Sequence, residues 1–137
     1  MLTQMIATGS DNGEIKIWDI SKLLQVDSRE LSEPEHCFTH HRGPITSIEW
    51  SPFDSSELMV SSDDNSVTLW DMSLFKDPGD ESEFPAQLLF EHLGQKQVKE
   101  LHWHRQIEGV VASIAFEGIC VWKPSIEIID EGNNNGQ

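Results

Sequence analysis

The chain is poor in cysteine, in long apolar runs and in basic side chains. Its 137 residues include two cysteines, Cys37 and Cys120, which lie 83 positions apart and have no C-x-x-C spacing. This usage favours a reducing, intracellular compartment over a disulfide-stapled secreted domain. The longest apolar stretch, residues 110–116, is too short to cross a bilayer, so no membrane role is expected.

Basic residues are few beside the acidic ones. Nine Lys and Arg face 24 Asp and Glu, which gives a formal net charge of -15. A surface of this charge repels phosphates and attracts cations, so direct binding of nucleic acid is not expected and a basic protein partner is favoured. The 37% of hydrophobic residues is enough to form a core, so the composition is that of a globular chain.

The chain contains a strand-turn-strand sequence motif that is repeated at a constant interval. Residues 6–19 return 52 positions later at 58–71 and, in degraded form, at 110–122. A second motif, around Trp50, is repeated around Trp103, 53 positions later. Each copy of the first motif predicts two antiparallel strands, joined by a turn and ending on tryptophan. A sheet-forming unit with a fixed period predicts the blades of a β-propeller.

The repeats resemble the WD40 family, whose signature is a His-bearing turn, an inner strand, a Ser-x-Asp turn and a Trp-Asp ending. The resemblance implies an all-β fold: a partial propeller of about two to three four-stranded antiparallel blades. A closed ring has typically about 4 to 8 blades of roughly 40 to 45 residues, more than this length supplies. We therefore expect the C-terminal part of a longer propeller.

The repeat phase predicts where each blade begins and ends. An incomplete first blade with its connecting loop occupies 1–43, and a complete middle blade with an acidic loop at 73–86 occupies 44–91. The last blade occupies 92–130, where 126–129 is a candidate fourth strand, and 131–137 is expected to be a disordered tail. Because a partial propeller has unpaired strand edges, the fragment is expected to associate with itself.

The middle repeat places four residues at the positions of the hydrogen-bonded tetrad of many WD repeats: His41, Ser62, Asp64 and Trp70. The resemblance gives them a structural role. A Ser-His-Asp hydrolase triad is the competing interpretation, but Ser62 falls within a predicted strand and the chain has no G-x-S-x-G elbow. The chain is therefore predicted not to be an enzyme.

The last repeat departs from this pattern. Ile114 and Phe116 stand where the Ser and Asp of the tetrad are expected, so this blade is predicted to lack the tetrad and to depend on apolar packing. His102 and His104 alternate on a predicted strand and share a face, but two ligands do not make a metal site. No metal and no cofactor are expected.

An acidic loop is the predicted binding surface. Its carboxylates and the residues that follow them are Asp77, Asp80, Glu81, Glu83, Phe84 and Pro85. A solvated loop is the commoner explanation of such a run. Together with the net charge, however, the run predicts that carboxylates pair with Lys or Arg of a client while the aromatic ring anchors it.

The segments 44–52, 87–92 and 99–104 resemble, within the WD40 family, the glutamate-rich ribosome-assembly proteins and, more distantly, the retinoblastoma-associated histone-binding proteins. In the latter, an acidic insertion ending in Pro-Pro helps to grip a basic helix, and here only Pro85 of that pair is present. The resemblance implies a nuclear or nucleolar chaperone of a basic large-subunit ribosomal protein. Histone chaperone, assembly scaffold and ubiquitin-ligase substrate adaptor are the alternatives.

Overall fold

The computed structural model describes residues 4–25, 33–76, 78–79, 81 and 83–125. Within them the strands form three antiparallel sheets, which we call the first (β1-β2-β3), middle (β4-β5-β6-β7) and last (β8-β9-β10) sheets. In chain order the elements are β1 Met5–Gly9, β2 Ile15–Asp19, α1 Ile20–Leu23, β3 His36–Phe38, β4 Ile45–Trp50, β5 Glu57–Ser62, β6 Ser66–Asp71, β7 Leu88–Leu93, β8 Glu100–Trp103, β9 Val111–Ala115 and β10 Gly118–Trp122.

The predicted hairpins are confirmed, and one connection differs from its prediction. The sequence predicts a polar loop over 21–35, but its first residues belong to the short helix α1, Ile20–Leu23. Asp19 caps this helix, because its carboxylate accepts the backbone N–H of Ser21 at 2.8 Å. The candidate strand at 126–129 and the predicted tail at 131–137 lie outside the described residues.

The three sheets stack face to face and enclose two apolar cores. Between the first and middle sheets lie Ile15, Ile17, Phe38, Leu58, Val60, Trp70 and Met72. Between the middle and last sheets lie Met59, Val67, Leu69, Val98, Leu101, Trp103, Val111 and Ala115. Because β5 and β6 contribute to both cores, these strands are buried almost throughout. Apart from the terminal Glu57 and Asp71, their side chains are apolar or small on both faces, as a sheet covered on both sides requires.

Polar contacts fasten the sheets to one another near β4. The Thr46 hydroxyl donates to the carbonyl oxygen of Val98 at 2.8 Å, and the Trp103 indole donates to the carbonyl oxygen of Glu49 at 3.0 Å. On the other side of β4, the Ile45 N–H donates to the carbonyl oxygen of Ser10 at 3.0 Å. β4 is thus bonded to both neighbouring sheets.

The last hairpin is one residue shorter than the middle hairpin. Trp70 pairs with Leu58 in the middle sheet, whereas Trp122 pairs with Val111 in the last sheet. The interval of 52 positions therefore holds between β6 and β10 but becomes 53 between β5 and β9. The counterpart of Ser62 is consequently Ala115, and the predicted equivalence of Ile114 with that serine was wrong by one position, because the last turn has lost a residue.

Candidate protein-binding groove and the tetrad beside it

A buried hydrogen-bond chain joins the loop before β4 to β6. His41 Nδ1 lies 2.9 Å from Asp64 Oδ2, and His41 Nε2 lies 2.8 Å from Thr68 Oγ1. The Trp70 indole N–H donates to the same Thr68 oxygen at 2.7 Å. With Nδ1–H donating to the carboxylate, Nε2 accepts from the Thr68 hydroxyl. The threonine thus bridges the imidazole and the indole.

Thr68 takes the place predicted for Ser62. The Ser62 hydroxyl instead bonds to the carbonyl oxygens of Gly43 and Pro44, at 2.9 and 3.0 Å. Thr68 precedes Trp70 by two positions on β6, so both side chains project from the same face. This spacing could have identified Thr68 from the sequence. His41, Asp64 and Trp70 are brought together as predicted, and the hydroxyl residue is corrected.

The surroundings of the tetrad shift the pKa values of its titratable groups. Burial lowers the pKa of His41 below 6.5, and the neighbouring Asp64 opposes this only in part. Burial alone would raise the pKa of Asp64, but hydrogen bonds from Ser66, from the backbone of Arg42 and from His41 outweigh it and lower the pKa. The tetrad therefore holds a neutral imidazole beside an ionised carboxylate.

We expect the chain to lose stability as the pH falls through 6.5, the ordinary pKa of histidine. The unfolded chain binds a proton at His41 there, while the folded chain does so only at lower pH, and stability rises with pH wherever the unfolded state binds more protons. The charged or titratable groups near His41 are Asp64, His40 and Glu91. Urea denaturation between about pH 8 and pH 5 measures the slope.

A His41→Gln variant should lose this pH dependence, although it is less stable at every pH. His104→Gln, at an exposed loop position, is the control and should keep the slope of the parent chain. A parent chain whose stability does not change between pH 7 and the onset of acid unfolding would contradict the prediction.

In the first and last sheets, the tryptophan indole N–H donates to a hydroxyl that belongs to no His-Asp tetrad. The Trp18 indole donates to Thr8 Oγ1 and the Trp122 indole to Ser113 Oγ, both at 2.9 Å. Ser113 in turn donates to Gln95 Oε1. The last sheet therefore keeps a short polar chain where apolar packing was predicted. Ser113, inside the apolar run 110–116, was the sequence signal for this polar chain.

A groove runs between β3 of the first sheet and β7 of the middle sheet, and we call it the β3–β7 groove. It consists of two adjoining clefts of 290 and 460 Å³, which share His40, Glu83 and Phe84. The smaller cleft is completed by Cys37, Phe38, Thr39 and Pro85. The larger is completed by Arg42, Asp64, Ser66, Glu91 and Leu93. The groove thus combines apolar side chains such as Phe38, Phe84 and Leu93 with the carboxylates of Asp64, Glu83 and Glu91.

Three of the predicted binding residues meet in this groove: Glu83, Phe84 and Pro85. The Phe84 ring is 58% exposed and its centroid lies 6.1 Å from that of His40. Pro85 is half-buried, and its carbonyl accepts the N–H of Leu88 at 3.1 Å. Glu81 is exposed. Asp77 and Asp80 lie outside the described residues.

Sequence reasoning missed most of the groove lining, including the titratable residues His40 and Glu91. His40 lies in the loop after β3 and Glu91 lies on β7, and His40 Nε2 is 3.4 Å from Glu91 Oε1. The signal for Glu91 was an acidic residue within a largely apolar strand. Asp64 also lines the groove, but its carboxylate oxygens already accept hydrogen bonds from the tetrad and from Ser66. Among the described groove residues, Glu83 is therefore a carboxylate available to a partner, as is Glu91 through the acceptor sites that His40 does not use.

The histidines of the last sheet have other contacts. His102 Nδ1 lies 2.9 Å from Glu49 Oε2 and ties the last sheet to the middle one, while His104 Nδ1 accepts the backbone N–H of Ile107 at 2.9 Å. In the part of the chain that the structure describes, no group of three or more His, Cys, Asp or Glu could hold a metal ion. No helix among those residues is long and apolar enough to span a membrane.

Stacked antiparallel sheets whose hairpins end on tryptophan define the chain as part of a β-propeller. Residues 3–19 and 32–71 match the WD40 family model, described as "WD domain, G-beta repeat". These two segments of the chain therefore carry WD40 repeats.

Several curated proteins are similar in sequence. Protein HEAT STRESS TOLERANT DWD 1 of Arabidopsis thaliana is 48% identical over 64% of this chain and 22% of its own length. Ribosome assembly protein rrb1 of Schizosaccharomyces pombe is 41% identical over 70% of this chain and 22% of its own length. Glutamate-rich WD repeat-containing protein 1 of Dictyostelium discoideum is 44% identical over 35% of this chain and 10% of its own length. The resemblance to the glutamate-rich and ribosome-assembly WD proteins is confirmed.

The chain spans about a fifth (22%) of the length of the first two relatives. Among solved structures, a chain from "Crystal Structure of Mitotic Checkpoint Complex" superposes with a TM-score of 0.67 at 18% identity, over 88% of this chain and 32% of that one. At this identity the likeness shows the fold alone. It confirms the propeller class that the repeats predicted.

Proposed function

We propose that this chain is the client-binding part of a ribosome-assembly factor and that it holds a basic segment of a protein client in the β3–β7 groove. The role is supported by the relationship to the ribosome assembly protein rrb1. The activity is binding, without turnover of a substrate, and the place of action is the nucleus, chiefly the nucleolus. A large-subunit ribosomal protein is the proposed client.

One observation carries the site assignment: an exposed aromatic ring lies in a groove between carboxylates from two chain segments. Phe84 shares the larger cleft with Glu83, from its own loop, and Glu91, from β7. A basic side chain lying there places its aliphatic stem against the ring and its charge between the carboxylates. Arginine suits this arrangement better than lysine, because its planar guanidinium pairs with carboxylates and stacks on aromatic rings.

The charge of the whole chain supports the same partner. A formal net charge of -15 attracts a cationic client over distance and raises its rate of association at low ionic strength. Arg42 also lines the larger cleft and opposes a basic ligand locally. Glu83 and Glu91 together outnumber this one positive charge in the larger cleft.

The test is the affinity of the chain for an arginine-rich peptide from a large-subunit ribosomal protein, measured by calorimetry at several salt concentrations. The double variant Glu83→Gln, Glu91→Gln should weaken binding about tenfold for each carboxylate and flatten the salt dependence. Phe84→Ala should weaken binding with little effect on the salt dependence, because it removes apolar contact and no charge.

The matched control is Asp11→Asn with Glu117→Gln, which removes the same charge from exposed positions in the turns of the first and last sheets. This control should change the affinity by about twofold at most, through the net charge alone. Equal losses in the groove variant and the control would refute the groove. A histone tail peptide that outcompetes the ribosomal peptide would assign the groove to the histone alternative.

A further inference from the structure

His40 stands where the two clefts of the β3–β7 groove meet, since it lines both of them. Its side chain is 16% exposed. The imidazole lies edge-on to the rings of Trp70 and His41, with centroids 6.0 and 5.5 Å away, and 6.1 Å from the centroid of Phe84. These ring contacts restrict the imidazole, and its Nε2 lies 3.4 Å from Glu91 Oε1.

The contact between His40 and Glu91 depends on protonation of the imidazole. A distance of 3.4 Å is long for a hydrogen bond, so a neutral imidazole leaves most of the acceptor sites of the Glu91 carboxylate to a partner. A protonated imidazole forms an ion pair with that carboxylate. Histidine is the side chain that ordinarily changes its charge between about pH 5 and pH 8. The net charge that a client meets at this point of the groove therefore depends on pH.

Other titratable or charged groups also line the groove or contact the imidazole of His40. Among the described residues they are Cys37, His41, Arg42, Asp64, Glu83 and Glu91. Arginine stays charged, and carboxylates and thiols ordinarily change their charge below and above the range of histidine. Burial lowers the pKa of His41, whose two ring nitrogens are already bonded within the tetrad. His40 is therefore the group whose change of charge faces a client.

We propose that His40 couples client binding to the loss of a proton, so that the groove holds a basic segment more tightly at neutral than at mildly acidic pH. This inference rests on the proposed client-binding role of the β3–β7 groove. A guanidinium that reaches Glu91 takes the place of the His40 imidazolium and is repelled by it. Binding therefore favours neutral His40, and by linkage the affinity rises with pH wherever the free chain holds more protons than the complex.

The test is calorimetry of the full chain with an arginine-rich peptide that has blocked termini and contains no histidine or cysteine. The salt concentration is fixed, and the pH is varied between about 6 and 7.5, below the range in which thiols ionise. With a tenfold coupling, the affinity should rise about threefold over this range, and binding near pH 6.5 should release about 0.4 proton per peptide. The difference in binding enthalpy between two buffers with unlike enthalpies of ionisation measures the proton release.

Two variants fix the charge at this position. His40→Gln makes it neutral and His40→Lys makes it positive, so both should lose the pH dependence and the proton release. His40→Lys should bind the peptide about tenfold more weakly than His40→Gln, because its charge is permanent. His104→Gln, at an exposed loop position outside the groove, is the control and should keep the behaviour of the parent chain. Urea denaturation at about pH 6 checks that each variant is folded.

Each contrary result points to a different error. A parent chain that binds the peptide equally well at both ends of the pH range, without proton release, would overturn the role of His40 and leave the proposed function standing. The same holds for a His40→Gln variant that keeps the proton release, or a His40→Lys variant that binds as tightly as His40→Gln. A parent chain that binds the peptide at no pH would overturn the groove as the client site, and the role of His40 with it.

Discussion

Replacing Thr68 by valine is expected to lower the free energy of unfolding by about 2 to 4 kcal/mol, because two buried polar groups lose their partner at once. The Trp70 indole N–H and His41 Nε2 both bond to the Thr68 hydroxyl, and Thr68 and Trp70 are fully buried. Valine has nearly the same shape as threonine, so no cavity forms and the loss reports the hydrogen bonds. Urea denaturation near pH 7.5 measures it.

Two further variants test whether the loss comes from the Thr68 hydroxyl that bridges His41 and Trp70. Thr68→Ser keeps the hydroxyl and should cost only about 1 kcal/mol for the lost methyl group. Thr39→Val, at an exposed position, should be within about 0.5 kcal/mol of the parent chain. In a double-mutant cycle, Thr68→Val and Trp70→Phe should be strongly non-additive. If Ser62→Ala coupled to Trp70→Phe while Thr68→Val did not, the assignment of the bridging hydroxyl would be wrong.

Replacing Gly13 by alanine is expected to destabilise the fold by about 2 to 5 kcal/mol, through backbone strain and a steric clash together. Gly13 has φ +85°, a conformation that L residues rarely adopt. An added Cβ would meet the carbonyl group of His41, with the carbon at 2.9 Å, and the carbonyl oxygen of Gly43 at 3.1 Å. Relief of this clash would displace the loop that positions the His41 imidazole in the tetrad.

Gly79→Ala is the matched control for this substitution. Gly79 also has a positive φ, +102°, but a Cβ there would meet nothing within 4 Å. Its expected cost is the conformational part alone, about 1 to 2 kcal/mol. The difference between the two variants measures how tightly the first hairpin packs on the loop before β4. Equal costs would mean that the loop before β4 moves away freely. Contact with the first hairpin would then not hold the His41 imidazole in the tetrad.

The identity of the strands and the turns between them could be predicted from the sequence. A hairpin pairs residues that are close along the chain, so alternation, a turn-forming cluster and a terminal tryptophan specify it locally. The acidic loop and its aromatic end were visible for the same reason, as were His41, Asp64 and Trp70 within one repeat.

Other features depend on which side chains meet across separate sheets. The bridging role of Thr68 rather than Ser62 depends on the side of the strand from which each hydroxyl projects. The pairing of His40 with Glu91, and their meeting with Phe84, joins residues that are distant in the chain.

The chain itself therefore determined the repeat, the hairpins, the tryptophan endings and the negative charge. The tertiary structure alone decided which hydroxyl completes the tetrad and which carboxylates line the groove. The physical reason is that a local pattern controls backbone pairing, whereas the direction of each side chain and the stacking of the sheets decide which distant groups come within bonding distance.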